Sequence, residues 1–139
     1  LSAVASRLLE AAGIEGVTFS GGEPFAQAEA LAALAAVCQR AGKGVLIFTG
    51  YEYADDLRER RESHCQALLA ACDLLVAGPY RHERGPGANP LLASANQQLV
   101  FLSDRYRGWD FGVHRRRIEY RISHGGVEVT GFPAAKPHL

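Results

Sequence analysis

The sequence predicts an α/β fold, and three features carry that prediction. Three short apolar runs, at 17–19, 45–48 and 74–77, are rich in β-branched and large apolar residues and do not alternate with polar ones. Such runs are typical of strands that are buried on both faces of a parallel sheet. A helical pattern separates each pair of runs, and strands that alternate with helices imply right-handed crossovers.

Three helices are expected around these strands. The first covers 1–12 and presents Val4, Leu8 and Ala11 on one face. The second covers 24–41, because Pro24 suits a first helical turn and Gly42 suits a helix end. The third is predicted as one continuous helix over 54–72, and its apolar face carries the following residues: Cys65, Leu68, Leu69 and Cys72.

The pattern changes after the third strand. Residues 79–96 read as a long loop, and loops of that length are usually functional or disordered. A fourth strand is expected at 97–102. Residues 117–122 and 127–129 alternate cleanly around His124, Gly125 and Gly126, which predicts a β-hairpin, and the tail 133–139 is expected to be loose. We therefore predict a single domain, with a core at about 14–102 and a hairpin and tail at 103–139.

The composition is that of an ordinary soluble protein. Fifteen basic residues balance fifteen acidic ones, which gives no reason to expect a nucleic-acid or membrane partner. No apolar run has the length of a bilayer span and no signal peptide is recognisable, so a cytoplasmic location is expected. The chain has no methionine and begins inside a helical pattern, which predicts the C-terminal part of a longer protein.

The cysteines and arginines have plain structural interpretations. Cys38, Cys65 and Cys72 fall on apolar helix faces with no zinc or iron–sulfur spacing, so they are predicted to be small buried hydrophobes and no metal ligands are assigned.

The arginines at 105, 107, 115–117 and 121 are interleaved with aromatic residues. This stretch is typical of a solvated face, with an anionic partner as the alternative.

The most informative stretch is Gly21-Gly22-Glu23-Pro24, where the first strand gives way to a helix. In open parallel sheets, ligands bind at this end of the strands. Glycines allow unusual dihedrals and exposed amide groups that bind a carboxylate or a phosphate, and Glu23 adds a carboxylate at the same place. Amide donors beside a carboxylate suit a ligand that carries both a negative and a positive charge, such as an amino acid. In the alternative interpretation the glycines only form the turn, Glu23 interacts with the helix N-terminus, and Pro24 starts the helix.

The next two strands end in similar turns. The second ends in Thr49-Gly50-Tyr51, and the third begins with Asp73 and ends in Gly78-Pro79-Tyr80. Because parallel strands finish at the same edge of a sheet, the three turns predict one extended site.

These segments together resemble a known family. Gly21-Gly22-Glu23-Pro24 is similar to the GGEP motif of radical S-adenosylmethionine (SAM) enzymes. Segments 48–51, 73–80 and 93–97 look like the YTGY, DxLVxGxY and GSxNQ segments of activating enzymes of glycyl-radical enzymes, especially the anaerobic ribonucleotide-reductase activating proteins. The ordered set covers roughly residues 14 to 100.

The resemblance implies a partial (β/α) barrel with parallel strands that binds SAM and a 4Fe–4S cluster. It implies reductive cleavage of SAM to a 5′-deoxyadenosyl radical, a glycyl-radical-type enzyme as partner, and a reductant protein for the cluster. Glu23 would bind the methionine amino group. The implied cofactor-binding residues are Ser20, Gly21, Gly22, Glu23, Pro24, Thr49, Gly50, Tyr51, Asp73 and Asn96.

One departure from the family is large. The CxxxCxxC motif that holds the cluster is missing from the chain, so its ligands are expected outside these residues. Two alternatives stay open: a non-catalytic α/β module that binds an amino-acid-like or nucleotide-like ligand, and an interaction domain that uses the arginine–aromatic stretch.

Overall fold

A computed structural model describes residues 2–112, 118–123 and 126–131, the last two ranges without their side chains. The predicted turn residues His124 and Gly125, Arg115 to Arg117 and the tail lie outside this part. The predicted hairpin is present as two antiparallel strands, β5 (Ile118–Ser123) and β6 (Gly126–Gly131), in register from Ile118 opposite Gly131.

The main sheet has four strands in the spatial order β1-β2-β3-β4. The strands are β1 (Gly16–Phe19), β2 (Gly44–Thr49), β3 (Leu74–Ala77) and β4 (Gln98–Phe101). The first three are parallel, with Val17 opposite Val45 and Leu46 opposite Leu74, and β4 runs antiparallel to β3. The predicted α/β class is confirmed, and the sheet stays open rather than closing into a barrel.

Burial follows position in the sheet. β3 is buried throughout, whereas β1 is only partly buried and Thr18 is exposed. The expectation that every strand is buried on both faces is therefore wrong for β1, because among the described strands β1 has a neighbour on one side only. The fully buried centre of the core consists of Ala35, Cys38, Val45, Ile47, Leu57, Leu68, Leu74, Leu75 and Val76.

The first two helices lie close to their predicted positions. α1 (Ser2–Glu10) lies at the periphery; Leu8 reaches the core, but Val4 is 50% exposed, against the predicted face. Pro24 opens a short 3₁₀ turn, and α2 (Ala28–Arg40) follows it. α2 ends as predicted: Gly42 has φ 73°, and the amides of Gly42 and Lys43 donate to the carbonyls of Gln39 and Cys38, which is a Schellman cap.

The third predicted helix is interrupted. A π turn (Tyr53–Leu57) and α3 (Ser63–Ala70) are separated by a charged segment, residues 58–62, which is exposed except for the half-buried Arg60. Helices in proteins are stabilised mainly by burying an apolar face, and this segment has no apolar residue to bury. None of the helices in the described ranges is long and apolar enough to cross a bilayer.

Candidate functional site

Three strand ends meet at one edge of the sheet, which we call the carboxyl edge. Because β1, β2 and β3 are parallel and adjacent, the turns that follow them lie side by side, as the sequence predicts. This edge includes Gly21 and Gly22 after β1, Gly50 after β2 and Gly78 after β3.

The glycine turn after β1 has the backbone conformation that its sequence suggests. Gly21 and Gly22 have φ of 82° and 59°, which are left-handed values that disfavour a side chain. Both residues are exposed, as is Ser20 before them. Within the described residues the amides of Gly21 and Gly22 donate to no backbone acceptor, so they are available to a ligand.

Glu23 connects this turn to the end of β2. Its Oε1 accepts hydrogen bonds from the amide of Phe25 at 3.0 Å and from the hydroxyl of Thr49 at 2.8 Å. Its Oε2 accepts from the amide of Gly50 at 2.9 Å. We call this set of contacts the Glu23 clasp. The Phe25 contact caps the 3₁₀ turn, as the structural interpretation of the motif expects.

The end of β2 is buried beneath the clasp. Thr49 is only 5% exposed, and its hydroxyl also accepts a hydrogen bond from the amide of Tyr51 at 3.1 Å. The carbonyl of Tyr51 accepts from the amide of Gly78 at 2.8 Å, which ties the second turn to the third. The Arg60 guanidinium lies 4.7 Å from the centre of the Tyr51 ring, in cation–π range. Pro24 is buried below the glycine turn.

Asn96 also reaches the carboxyl edge, where it supports the long loop after β3. Its side-chain amide donates to the carbonyl of Pro79 at 2.7 Å, and its side-chain oxygen is buried without a partner in the described residues. Gln97, which sequence reasoning did not single out, donates to the carbonyl of Gly78 and accepts from the amides of Ala93 and Ser94. Both residues fold the loop back onto the sheet.

Two cavities flank this edge. A cavity of about 230 Å³ lies at the end of β3 and is lined in part by Glu52, Asp55, Gly78 and Asn96. A larger one of about 750 Å³ lies where α2 begins beside α3, and neither Gly21 nor Glu23 lines it. The glycine turn is therefore an exposed surface turn rather than part of the wall of this 750 Å³ cavity.

Asp73 is separated from these residues. It lies at the opposite, amino edge of the sheet, where it is 5% exposed. Its Oδ2 accepts from the amide of Val45 at 2.8 Å and its Oδ1 from the hydroxyl of Ser103, while Arg105 Nε lies 3.7 Å from Oδ2. Nine of the ten candidate residues therefore lie at or near the carboxyl edge, whereas Asp73 lies at the other end of the sheet because it precedes β3 instead of following it.

The three cysteines do not fit an iron–sulfur cluster. A cluster requires converging thiolates, and within residues 2–112 no group of three metal-ligating side chains occurs. Burial raises the pKa of the Cys38 and Cys65 thiols, and burial together with nearby Asp73 raises the pKa of Cys72 to about 12. Such thiols stay protonated at neutral pH, which disfavours metal binding.

Arg105 and Arg107, the two arginines of the arginine–aromatic stretch whose side chains are described, have structural partners. Arg105 forms an ion pair with Glu15 at 2.9 Å and donates to the carbonyl of Gly42 at 2.8 Å. Arg107 pairs with Asp104 and lies over the ring of Phe101. The contacts of Arg105 and Arg107 are those expected of arginines on a solvated face of the protein.

Comparison with known proteins identifies the family to which the chain belongs. No curated protein and no solved structure gives a significant match. A family model described as a 4Fe-4S single cluster domain matches residues 2–100, well over half of the chain, and the match agrees with the iron–sulfur part of the radical SAM resemblance. From the match over α1 through β4 we conclude that the chain belongs to the family of 4Fe-4S single cluster domains.

Proposed function

We propose that this chain is the SAM-binding part of a radical SAM activating enzyme. The observation that carries the proposal is the pairing, at the carboxyl edge of a parallel sheet, of open glycine amides with the Glu23 carboxylate. The family match supports an iron–sulfur function of this general type. The activating role itself rests on the resemblance of the four ordered segments.

The chemistry of the turn suits the amino-acid end of SAM. That end carries a carboxylate, which amide N–H groups bind, and an ammonium, which a carboxylate binds. The turn offers the amides of Gly21 and Gly22 beside Glu23. A phosphate would be repelled by Glu23, so the same turn disfavours a simple phosphate ligand.

Glu23 keeps room for a ligand after forming its clasp. A carboxylate has about four acceptor positions, and three of them are used by the donors of Phe25, Thr49 and Gly50. The remaining position is on Oε2, and the side chain is only partly buried. One ammonium N–H can therefore bind without displacing an existing hydrogen bond.

The cluster chemistry is assigned to residues outside this chain. Since the cysteines present do not fit a cluster, we derive no cluster-dependent step from these residues. In the proposal, reductive SAM cleavage belongs to the whole enzyme, its electron source is a reductant protein, and its target is a glycyl-radical-type enzyme. This part supplies the binding and orientation of SAM.

Calorimetric titration of the 139-residue chain with SAM tests the binding role. We expect binding by the wild-type chain and at least a tenfold weaker affinity for Glu23→Ala, because a charge-assisted hydrogen bond is lost. Glu29→Ala, at an exposed position on α2, is the matched control and should bind like the wild type. Absence of SAM binding by the wild-type chain would refute the proposal, and equal affinity of the Glu23 variant would remove Glu23 from the site.

Anaerobic reconstitution with iron and sulfide tests the assignment of the cluster. The chain should acquire no 4Fe–4S absorption, and its iron content should match that of a variant in which Cys38, Cys65 and Cys72 are all serine. Stoichiometric iron that disappears in the triple variant would contradict the assignment.

A non-catalytic α/β binding module is the second candidate. It is favoured by one observation, the lack of a metal-ligating group among residues 2–112. The two functions differ in product: under anaerobic reducing conditions, the full gene product of a radical SAM enzyme forms 5′-deoxyadenosine from SAM, and a binding module does not.

A further inference from the structure

The Thr49 hydroxyl both donates and accepts a hydrogen bond inside the protein. It donates to Glu23 Oε1 at 2.8 Å and accepts from the amide of Tyr51 at 3.1 Å. The residue is 5% exposed. A side chain that is both buried and hydrogen-bonded in this way does not contact a ligand at the surface.

Thr49 differs from the other two donors of the Glu23 clasp in one respect. Phe25 and Gly50 donate backbone amides, which any residue except proline would supply at those positions. Thr49 donates a side-chain hydroxyl, so only here does the clasp depend on residue type. Thr49 is also the last residue of β2, which anchors the hydroxyl to the rigid sheet.

The hydroxyl fixes the orientation of the Glu23 carboxylate. A glutamate side chain has three rotatable bonds, and a partly exposed one samples several rotamers unless it is held. Thr49 holds Oε1 against β2 while Gly50 holds Oε2, so the plane of the carboxylate is set by two neighbouring residues of one strand end. The unused acceptor position on Oε2 then has a defined direction.

We propose that Thr49 is a positioning residue that sets the preference of this site for ligands with an amino-acid ammonium, acting only through Glu23. This inference rests on the proposed SAM-binding function and changes the role expected for Thr49, from a residue that lines the pocket to one that orients a binding residue. It names the part of the ligand that Thr49 controls: the amino-acid end and not the nucleoside.

A pair of ligands isolates that end. S-adenosylhomocysteine and 5′-methylthioadenosine share the adenosine and the thioether, and only the former has the amino-acid group. We expect the wild-type chain to bind S-adenosylhomocysteine more tightly. In Thr49→Val this preference should shrink about tenfold through weaker binding of S-adenosylhomocysteine alone. Thr49→Ser keeps the hydroxyl and should restore the preference.

Thr18→Val is the matched control, because Thr18 is an exposed threonine on β1. If Thr49 had only a structural role, Thr49→Val would lower the affinity for both ligands equally and leave the ratio of the two affinities unchanged. That result would overturn the inference and leave the proposed function unaffected. Failure of the wild-type chain to bind either ligand would overturn both.

Amide hydrogen exchange provides a test without ligand and covers the case in which Thr49→Val is unstable. If Thr49 orients Glu23, the mildly destabilising Thr49→Ala should accelerate exchange at Phe25 and Gly50, whose amides donate to Glu23. Exchange at Ile47 and Leu75 in the core should rise only by the factor that the lower free energy of unfolding predicts, which is smaller than the change at the clasp amides. Unchanged exchange at both clasp amides would contradict the positioning role.

Discussion

Two carboxylates at opposite edges of the same sheet have nearly the same partners and different surroundings. Glu23 accepts from the amide of Gly50 and the hydroxyl of Thr49, and Asp73 accepts from the amide of Val45 and the hydroxyl of Ser103. Each therefore links β2 to a neighbouring segment.

What differs is the access of solvent. Asp73 is almost fully buried, and Arg105 and Tyr106 pack at the same edge. Glu23 is partly exposed beside a glycine turn with open amides. The comparison teaches that hydrogen bonds alone do not tell these two carboxylates apart, whereas the exposure of the carboxylate and of its neighbours does.

The largest expected effect is on stability at the amino edge. Asp73→Ala leaves the buried amide of Val45 and the hydroxyl of Ser103 without their acceptor, so the free energy of unfolding should fall by about 3 kcal/mol. Urea unfolding measures this. Asp104→Ala, at an exposed aspartate, is the control and should change stability by less than about 0.5 kcal/mol.

The comparison also predicts that the folded fraction of Asp73→Ala, assayed at low temperature, binds SAM like the wild type. A selective loss of SAM affinity in well-folded protein would return Asp73 to the binding site and break the contrast between the two edges.

The next largest effect is a difference in stability between glycine-to-alanine changes at the two edges. A Cβ at Gly16 would lie 2.8 Å from the backbone carbonyl carbon of Gly44 and 2.9 Å from the Tyr106 hydroxyl, so Gly16→Ala should cost about 2 kcal/mol. A Cβ at Gly50 would meet nothing closer than Glu23 Oε2 at 3.6 Å, so Gly50→Ala should be close to neutral. Thermal unfolding of both variants measures these losses of stability. Similar losses would show that the amino edge is not the more closely packed of the two.

A smaller effect concerns pH. The pKa of Cys72 is raised to about 12 in the folded chain by burial and by nearby Asp73, against about 9 for an ordinary thiol. A raised pKa favours the folded state below pH 9, and this contribution is lost as pH rises from about 9 to 12. Cys72 alone should lower the free energy of unfolding by about 1 kcal/mol between pH 9 and 10. In Cys72→Ala the free energy of unfolding should decrease less with pH over this range. An equal decrease in the wild type and the variant would contradict the raised pKa of Cys72.

Sequence reasoning succeeded where the local pattern has one physical solution. The β-branched runs at 45–48 and 74–77 have no polar face to expose, so they become central strands. It failed at the third helix, because periodicity at Cys65 and Leu68 does not reveal that residues 58–62 lack anything to bury. Asp73 is in the candidate set through the resemblance of segment 73–80, although it precedes β3 and so lies at the opposite end of the strand from Gly78.

The sequence by itself determined the α/β class, the order of strands and helices, and the left-handed glycine turn at Gly21 and Gly22, because each depends on short-range sterics and on which residues must leave water. Only the tertiary structure decided that Thr49 and Gly50 hold Glu23, and that Asp73 belongs to the closed edge. Those pairings join residues 26 to 28 positions apart, and their distances and access to water exist only once the strands lie side by side.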